Sequence, residues 1–377
     1  MIKILTIIGT RPEAIKMSPV IIELKKYPDI FETKVCSTSQ HREMLDQVLS
    51  IFNLIPDIDL NLMEANQTLY NLTSRIIIEL GRVLSEEKPN ILLVQGDTTT
   101  VMTASLAAFY NKIPVGHVEA GLRTTNRYSP FPEEMNRRLT SVLSDFHFAP
   151  TIRAEEALLR EGIPKEKIFI TGNTVIDALF CVINKPQNKI VEKILRSCSL
   201  FDDNKKLILV TAHRRENFGQ PFEEICRGLK AIAERNKDIV IVYPVHLNPN
   251  VREPVFRILN NVDRVHLIEP IEYDTIAHLM EKAFIILTDS GGIQEEAPAL
   301  GKPVLVLRTE TERPEAVELG VAKIIGPYCE SIVQETERLI YDQKEYLKMA
   351  KKVSPYGDGK AAIRIVNILK NFFMDKE

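Results

Sequence analysis

Short apolar runs alternate with amphipathic stretches along almost the whole chain. In the first half the runs are residues 3–8, 33–37, 90–94, 114–118, 146–149 and 168–171. Helical spacing fills the intervals, at 18–26, 42–52, 69–86 and 99–111. The rhythm resumes in runs 206–211, 239–243, 265–268, 283–287 and 303–307, with helical stretches at 221–234, 273–281 and 294–300. Strands apolar on both faces and separated by helices specify parallel sheets covered on both sides. Two such blocks predict an α/β chain of two doubly wound domains with a cleft between them. A length of 377 residues suits two cores better than one.

Gly172 and Asn173 break the rhythm, and Lys185-Pro186-Gln187-Asn188 reads as loop. A second break, 354–359, precedes a last helical stretch, 361–373. The expected domains are therefore 1–172 and 173–355, with 356–377 crossing back to the first. A net charge of −3 and a pI of 6.2 give no basic surface for nucleic acid or for an anionic membrane. No apolar run is long enough to span a bilayer. Cys36, Cys181, Cys198, Cys226 and Cys329 are scattered without a C-x-x-C pair, as free thiols in a reducing compartment are. The chain enters its first strand with no signal-peptide pattern, so the cytoplasm is expected.

In open parallel sheets, ligands bind beyond the carboxyl ends of the strands. The residues there are strongly polar. Gly9-Thr10-Arg11 follows the first run, Gln95-Gly96-Asp97-Thr98 the third in that half and Glu119-Ala120-Gly121 the next. In the second half, His213-Arg214-Arg215, His246 and Asp289-Ser290-Gly291-Gly292 hold the same place. Ser290-Gly291-Gly292 opens a helix, where paired glycines and first-turn N–H groups suit a diphosphate, with Arg11 and Arg313 as further charge. An ordinary N-cap at Asp289 or Ser290 explains the same pattern. Asp97, Glu119 and Glu133 are candidate acid–base groups, since crowding and burial tune carboxyl acidity. The structural alternatives are an N-cap for Asp97 and a first-turn acid for Glu133. His213, at a strand end beside arginines, is a candidate for anion binding or proton transfer. His117 falls within a buried run and reads as structural. No H-E-x-x-H or similar spacing proposes a metal, and no G-x-G-x-x-G or Walker motif proposes a bound NAD or ATP.

The segments 9–17, 95–100, 117–124, 130–137, 211–217, 243–249 and 288–315 together resemble the bacterial, non-hydrolysing UDP-N-acetylglucosamine 2-epimerases. The resemblance runs from the first strand to Pro355-Tyr356-Gly357. It implies the two-Rossmann GT-B arrangement, a homodimer, and a last helix packed on the first domain. Asp97, Glu119, Glu133 and His213 match the family's catalytic positions. Arg11, Lys16, Ser290, Gly291, Gly292, Glu296 and Arg313 match contacts to the nucleotide sugar, with Glu296 on the ribose. Ile271 and Ile276 match the uracil contacts, where an aromatic is common at the second. Gln40, Glu43, Arg214 and His246 match an activator site for a second UDP-GlcNAc, at which a common arginine is Asn66 here.

The resemblance also implies the chemistry, which needs no cofactor. A carbon-2 proton with no adjacent carbonyl is too weakly acidic for simple abstraction. Its removal is coupled to loss of UDP from carbon 1, leaving a 2-acetamidoglucal. UDP then re-adds, with protonation on the opposite face, to give UDP-ManNAc for surface polysaccharides. The residues alone leave open a GT-B glycosyltransferase, a hydrolysing epimerase, a 2-epimerase of a modified UDP-sugar, or a nucleotide-sugar sensor without turnover.

Overall fold

The computed structural model describes residues 1–38, 45–62, 67–124, 126–201 and 205–374, and the backbone of 42–44. The chain divides into two units, one of Met1–Cys181 with Tyr356–Glu377, the other of Val182–Pro355. The first unit carries a parallel sheet of β1 (Ile2–Ile8), β2 (Phe31–Ser37), β3 (Ile58–Asp59), β4 (Ile91–Gln95), β5 (Val115–Val118), β6 (Phe146–Ala149) and β7 (Ile168–Ile170). Their order is β3-β2-β1-β4-β5-β6-β7, so the winding reverses between β1 and β4. Every residue of β4, β5 and β6 is buried, which is why these strands read as unbroken apolar runs. Leu5, Ile7, Leu92 and Val94 form one core face, closed by Ile76 and Leu80 of helix Leu69–Glu87 and by Ala104 and Ala108 of helix Thr99–Tyr110. Each such aliphatic side chain contributes about 1.5–3 kcal/mol on burial.

The second unit repeats the plan with β8 (Lys206–Thr211), β9 (Ile239–Pro244), β10 (Val265–Ile268), β11 (Ile285–Thr288), β12 (Val304–Val306) and β13 (Ala322–Ile324). The order β10-β9-β8-β11-β12-β13 is again parallel and reverses between β8 and β11. Ligand crevices in such sheets lie at the reversal. In the first unit it is bounded by the loops after β1 and β4, in the second by those after β8 and β11.

Two differences from the sequence reading bear on the site. The first helix runs Arg11–Leu24, not from Ser18. Glu13 reaches back to accept from Thr10 N at 3.2 Å, the carboxylate half of a capping box, and Pro12 sits in the first turn, where its missing N–H has no partner to lose. Arg11 and Lys16 are therefore helical rather than loop residues. The first unit also continues past the Gly172–Asn173 break to Cys181. Asp177, in helix Thr174–Ile183, accepts N–H bonds from Ala361 (3.2 Å) and Ala362 (2.9 Å), capping the last helix, Ala361–Met374. That helix packs on helix Arg11–Leu24. Among the described residues no helix is long and apolar enough to cross a membrane.

Candidate active site

Glu119 directly follows β5 and has φ +64, a left-handed conformation uncommon for a residue with a side chain. Such strain persists only where surroundings over-determine it, and Glu119 is densely held. Lys16 Nζ, one turn into the first helix, donates to Oε1 at 2.6 Å and Oε2 at 2.7 Å. Gln95 at the end of β4 donates to Oε2, and Asn173 Nδ2 donates to Oε1 at 3.0 Å. The carboxylate is 7% exposed, so its charge relies on these donors rather than on water. His117, two residues earlier, is pushed down to about 4 by burial. The neutral ring donates Nε2–H to the Gly96 carbonyl at 2.7 Å, the structural role read from sequence.

Asp97 is not the N-cap of the helix that follows. Thr98 is, its hydroxyl accepting from Val101 N. Asp97 Oδ2 instead receives Arg137 Nε at 2.9 Å and Nη2 at 2.6 Å, while Asn136 Nδ2 donates to its carbonyl at 3.0 Å. Both donors lie on helix Glu133–Leu143, so the Asp97 loop and Glu133 are fastened together. The two glutamates opening that helix differ. Glu134 is fully buried and accepts from Thr124 N, Arg137 and Arg138. Glu133 is half-buried, and its Oε2 is shielded from solvent with no hydrogen-bond partner among the described residues. Glu13 forms a further link. Its Oε2 accepts from Gly9 N (2.5 Å) and Thr10 N (3.2 Å), and Thr98 Oγ1 donates to its Oε1 at 2.5 Å. Burial pushes this carboxyl up to about 7 against those bonds.

In the second unit Asp289, fully buried after β11, accepts from His213 N (2.9 Å), Arg214 N (2.8 Å) and Asn217 Nδ2 (3.2 Å). It is a strap across the reversal rather than a helix cap. Tyr243 OH donates to the Ala212 carbonyl at 2.7 Å, fixing the other side of His213. Burial holds His213 below the usual histidine range, with Asp289 opposing, so the ring is neutral near pH 7. It stacks on the exposed His246 with centroids 5.3 Å apart. Ser290 caps helix Gly291–Glu296 without a side-chain cap bond. A β-carbon on Gly291 would lie 3.7 Å from Arg214 Nη2, and Arg214 Nε is buried without a partner among the described residues. Arg313 Nε donates to Glu295 Oε1, and Tyr273 OH donates to Glu296 Oε1 at 2.5 Å. Half-buried Ile271 and Ile276 flank the start of Tyr273's helix.

The structure thus gathers Lys16, Asp97 and Glu119 at the first reversal, with Glu133 bound to the Asp97 loop and Arg11 opening Lys16's helix. At the second it gathers His213, Arg214, His246 and Ser290–Gly292. Gln40 and the side chain of Glu43 lie outside the described residues, as does Asn66. Sequence reasoning missed the supporting set Glu13, Gln95, Arg137, Asn173, Tyr273 and Asp289. Gln95 and Asp289 carried a signal as polar residues at strand ends, and Glu13 and Arg137 lie in the segments 9–17 and 130–137, whereas Asn173 and Tyr273 carried none. Among the described residues no cluster of His, Cys, Asp and Glu could hold a metal.

The UDP-N-acetylglucosamine 2-epimerase family matches residues 23–370. The Escherichia coli K12 UDP-N-acetylglucosamine 2-epimerase is 56% identical over 371 residues, covering 98% of each chain. That of Campylobacter jejuni is 55% identical over 372 residues, covering 97% of each. The solved UDP-GlcNAc 2-epimerase of Neisseria meningitidis, bound to UDP-GlcNAc, is similar in structure, with a TM-score of 0.89 and 54% identity over 98% of this chain and 99% of that one.

Proposed function

The chain belongs to the UDP-N-acetylglucosamine 2-epimerase family, a family of isomerases, and we propose that it interconverts UDP-GlcNAc and UDP-ManNAc by elimination and re-addition of UDP, without a cofactor. The observation that carries the mechanism is the unequal treatment of the carboxylates. Glu119 is tied to Lys16 and two amides, and Asp97 to Arg137, whereas Glu133 Oε2 is shielded with no partner among the described residues. An oxygen that no donor occupies has a lone pair open to a proton. In this reading Glu133 takes the proton from carbon 2. The released electron pair forms the carbon 1–carbon 2 double bond, and the bond from carbon 1 to the diphosphate oxygen breaks, with UDP taking its electrons. Reversal with proton delivery to the other face inverts carbon 2.

The second unit supplies the nucleotide contacts in this reading. Neutral His213 and the Gly291–Gly292 amides receive the diphosphate, Glu296 the ribose, and Ile271 and Ile276 the uracil. Preorganised donors at a leaving group stabilise developing charge. Because His246 stacks on His213, a second nucleotide sugar held by Arg214 and His246 would bear directly on UDP departure. We place the enzyme in the cytoplasm, which suits its five cysteines, all free thiols. We also assign a homodimer. Ile78, Phe109, Tyr110, Leu139 and Val142 are exposed on helices that pack side by side, an apolar face suited to a second copy.

The test is UDP-GlcNAc with the protein alone in D₂O, followed by proton NMR. UDP-ManNAc carrying deuterium at carbon 2 is expected, with label returning to the substrate pool. Product without label would defeat the solvent-exchanging acid–base scheme. UDP released only on adding an acceptor would favour a glycosyltransferase, and binding without reaction would favour a modified sugar or a sensor.

A further inference from the structure

Asn173 lies in the loop after β7, outside every motif that points to function, and is 1% exposed. Each of its polar groups is engaged in a different direction. Its N–H donates to the Tyr356 carbonyl at 2.5 Å. Its Oδ1 accepts from Val175 N at 3.0 Å, opening helix Thr174–Ile183. Its Nδ2 donates to Glu119 Oε1 at 3.0 Å, across 54 residues of sequence.

The surroundings hold this residue from both sides. Gly172 (φ +90) and Gly357 (φ +140) face each other so closely that a β-carbon on Gly172 would lie 3.2 Å from the Gly357 α-carbon. Arg364 Nη1 donates to the Thr171 carbonyl at 3.0 Å and pairs with Asp358. Asp177 caps the helix beginning at Ala361. Residues 171–177 and 356–364 are therefore laced together through the backbone, and the Asn173 side-chain amide points out of the lacing at Glu119. A carboxylate needing only charge balance has Lys16 already. Neutral amide donors from two further elements fix its plane without adding charge, in a backbone conformation that costs energy to keep.

We infer that Asn173 is a positioning residue of the epimerase reaction, its amide holding Glu119, and through it Lys16, in the reacting geometry while its backbone anchors that carboxylate to the crossing segment at Tyr356. The inference rests on the assignment of Glu119 to the active site. It gives the last segment of the chain a part in catalysis as well as in packing.

The experiment compares wild type, Asn173→Asp and Asn173→Ser for kcat, KM for UDP-GlcNAc and the dependence of kcat on pH. Wild-type turnover in the same assay establishes the underlying reaction, so its absence would fault the proposed function and not Asn173. The aspartate variant keeps the bond to Val175 N and sets a second carboxyl against Glu119. Among the described residues Lys16 and the neutral His117 also face that carboxylate. Its kcat should fall on the order of 10- to 100-fold with KM little changed. The acidic limb of its profile should move up by about one pH unit, because paired carboxyls retain a proton. The serine variant can also accept from Val175 N but cannot reach Glu119. It should lose kcat without moving the limb, and it serves if the aspartate variant does not fold. Wild-type kcat in a folded variant overturns the inference, as does loss through KM alone.

Discussion

Replacing Glu13 with glutamine should stabilise the protein above pH 7 and leave it nearly unchanged in mild acid. Glu13 is buried at the start of the first helix, and burial pushes its carboxyl from 4.5 up to about 7 despite bonds from Gly9, Thr10 and Thr98. The unfolded chain releases this proton near 4.5 while the folded chain keeps it to about 7. The folded state thus binds more protons between those values, and stability declines as pH rises through the window. At about 1.4 kcal/mol per pH unit the full decline is about 3 kcal/mol. Glutamine fits the same contacts. Its oxygen can accept from Gly9 N and Thr10 N, and its amide can donate to Thr98 Oγ1, whose hydroxyl must turn away at a cost of about 1 kcal/mol. The stability difference, Glu13→Gln minus wild type, should therefore open by about 2–3 kcal/mol between pH 5 and 8. Urea unfolding at each pH measures it, read by far-UV circular dichroism because the chain has no tryptophan. Taking the difference cancels every other titrating group. A difference that stays flat with pH refutes the placement of the proton on Glu13, whatever its absolute size.

Glu133→Gln should lower kcat on the order of 10²–10⁴-fold with little change in KM, as loss of the proton acceptor does; turnover near wild type would return the role to Asp97 or Glu119. Tyr273→Phe removes the donor to Glu296 Oε1 and should weaken UDP binding on the order of tenfold, the worth of a hydrogen bond to a charged group. Titration calorimetry with UDP reads it, and unchanged affinity would show that Tyr273 does not orient Glu296.

What the sequence disclosed follows from where its signals are local. Buried parallel strands are apolar along their whole length, so β1, β4–β6, β8 and β11 stand out as runs. The edge strands β3 (Ile58–Asp59) and β13 (Ala322–Ile324) are too short for any periodicity. The start of the first helix was hidden because Gly9-Thr10-Arg11 directly follows the first strand and reads as its loop. In the fold Pro12 occupies the first turn, and Pro19 lies within the helix. Asp97, Glu119, His213 and Ser290 could be named because they lie within two residues of the end of an apolar strand, where ligands bind in parallel sheets. The residues that hold them have no such local mark. Asn173 and Gln95 are amides that any turn or strand end could carry, and they meet Glu119 across 54 and 24 residues. Asp289 looks like a cap until its partners prove to be His213 and Arg214, 76 and 75 residues away. Glu133 and Glu134 are adjacent and alike in sequence, and opposite in the fold. One is bonded by Thr124, Arg137 and Arg138, while the other has a shielded oxygen with no partner among the described residues. A candidate acid–base group can be picked out by its place after one strand. The constraint on its geometry comes from partners that only the sheet order brings near, and those partners set neighbouring carboxylates apart.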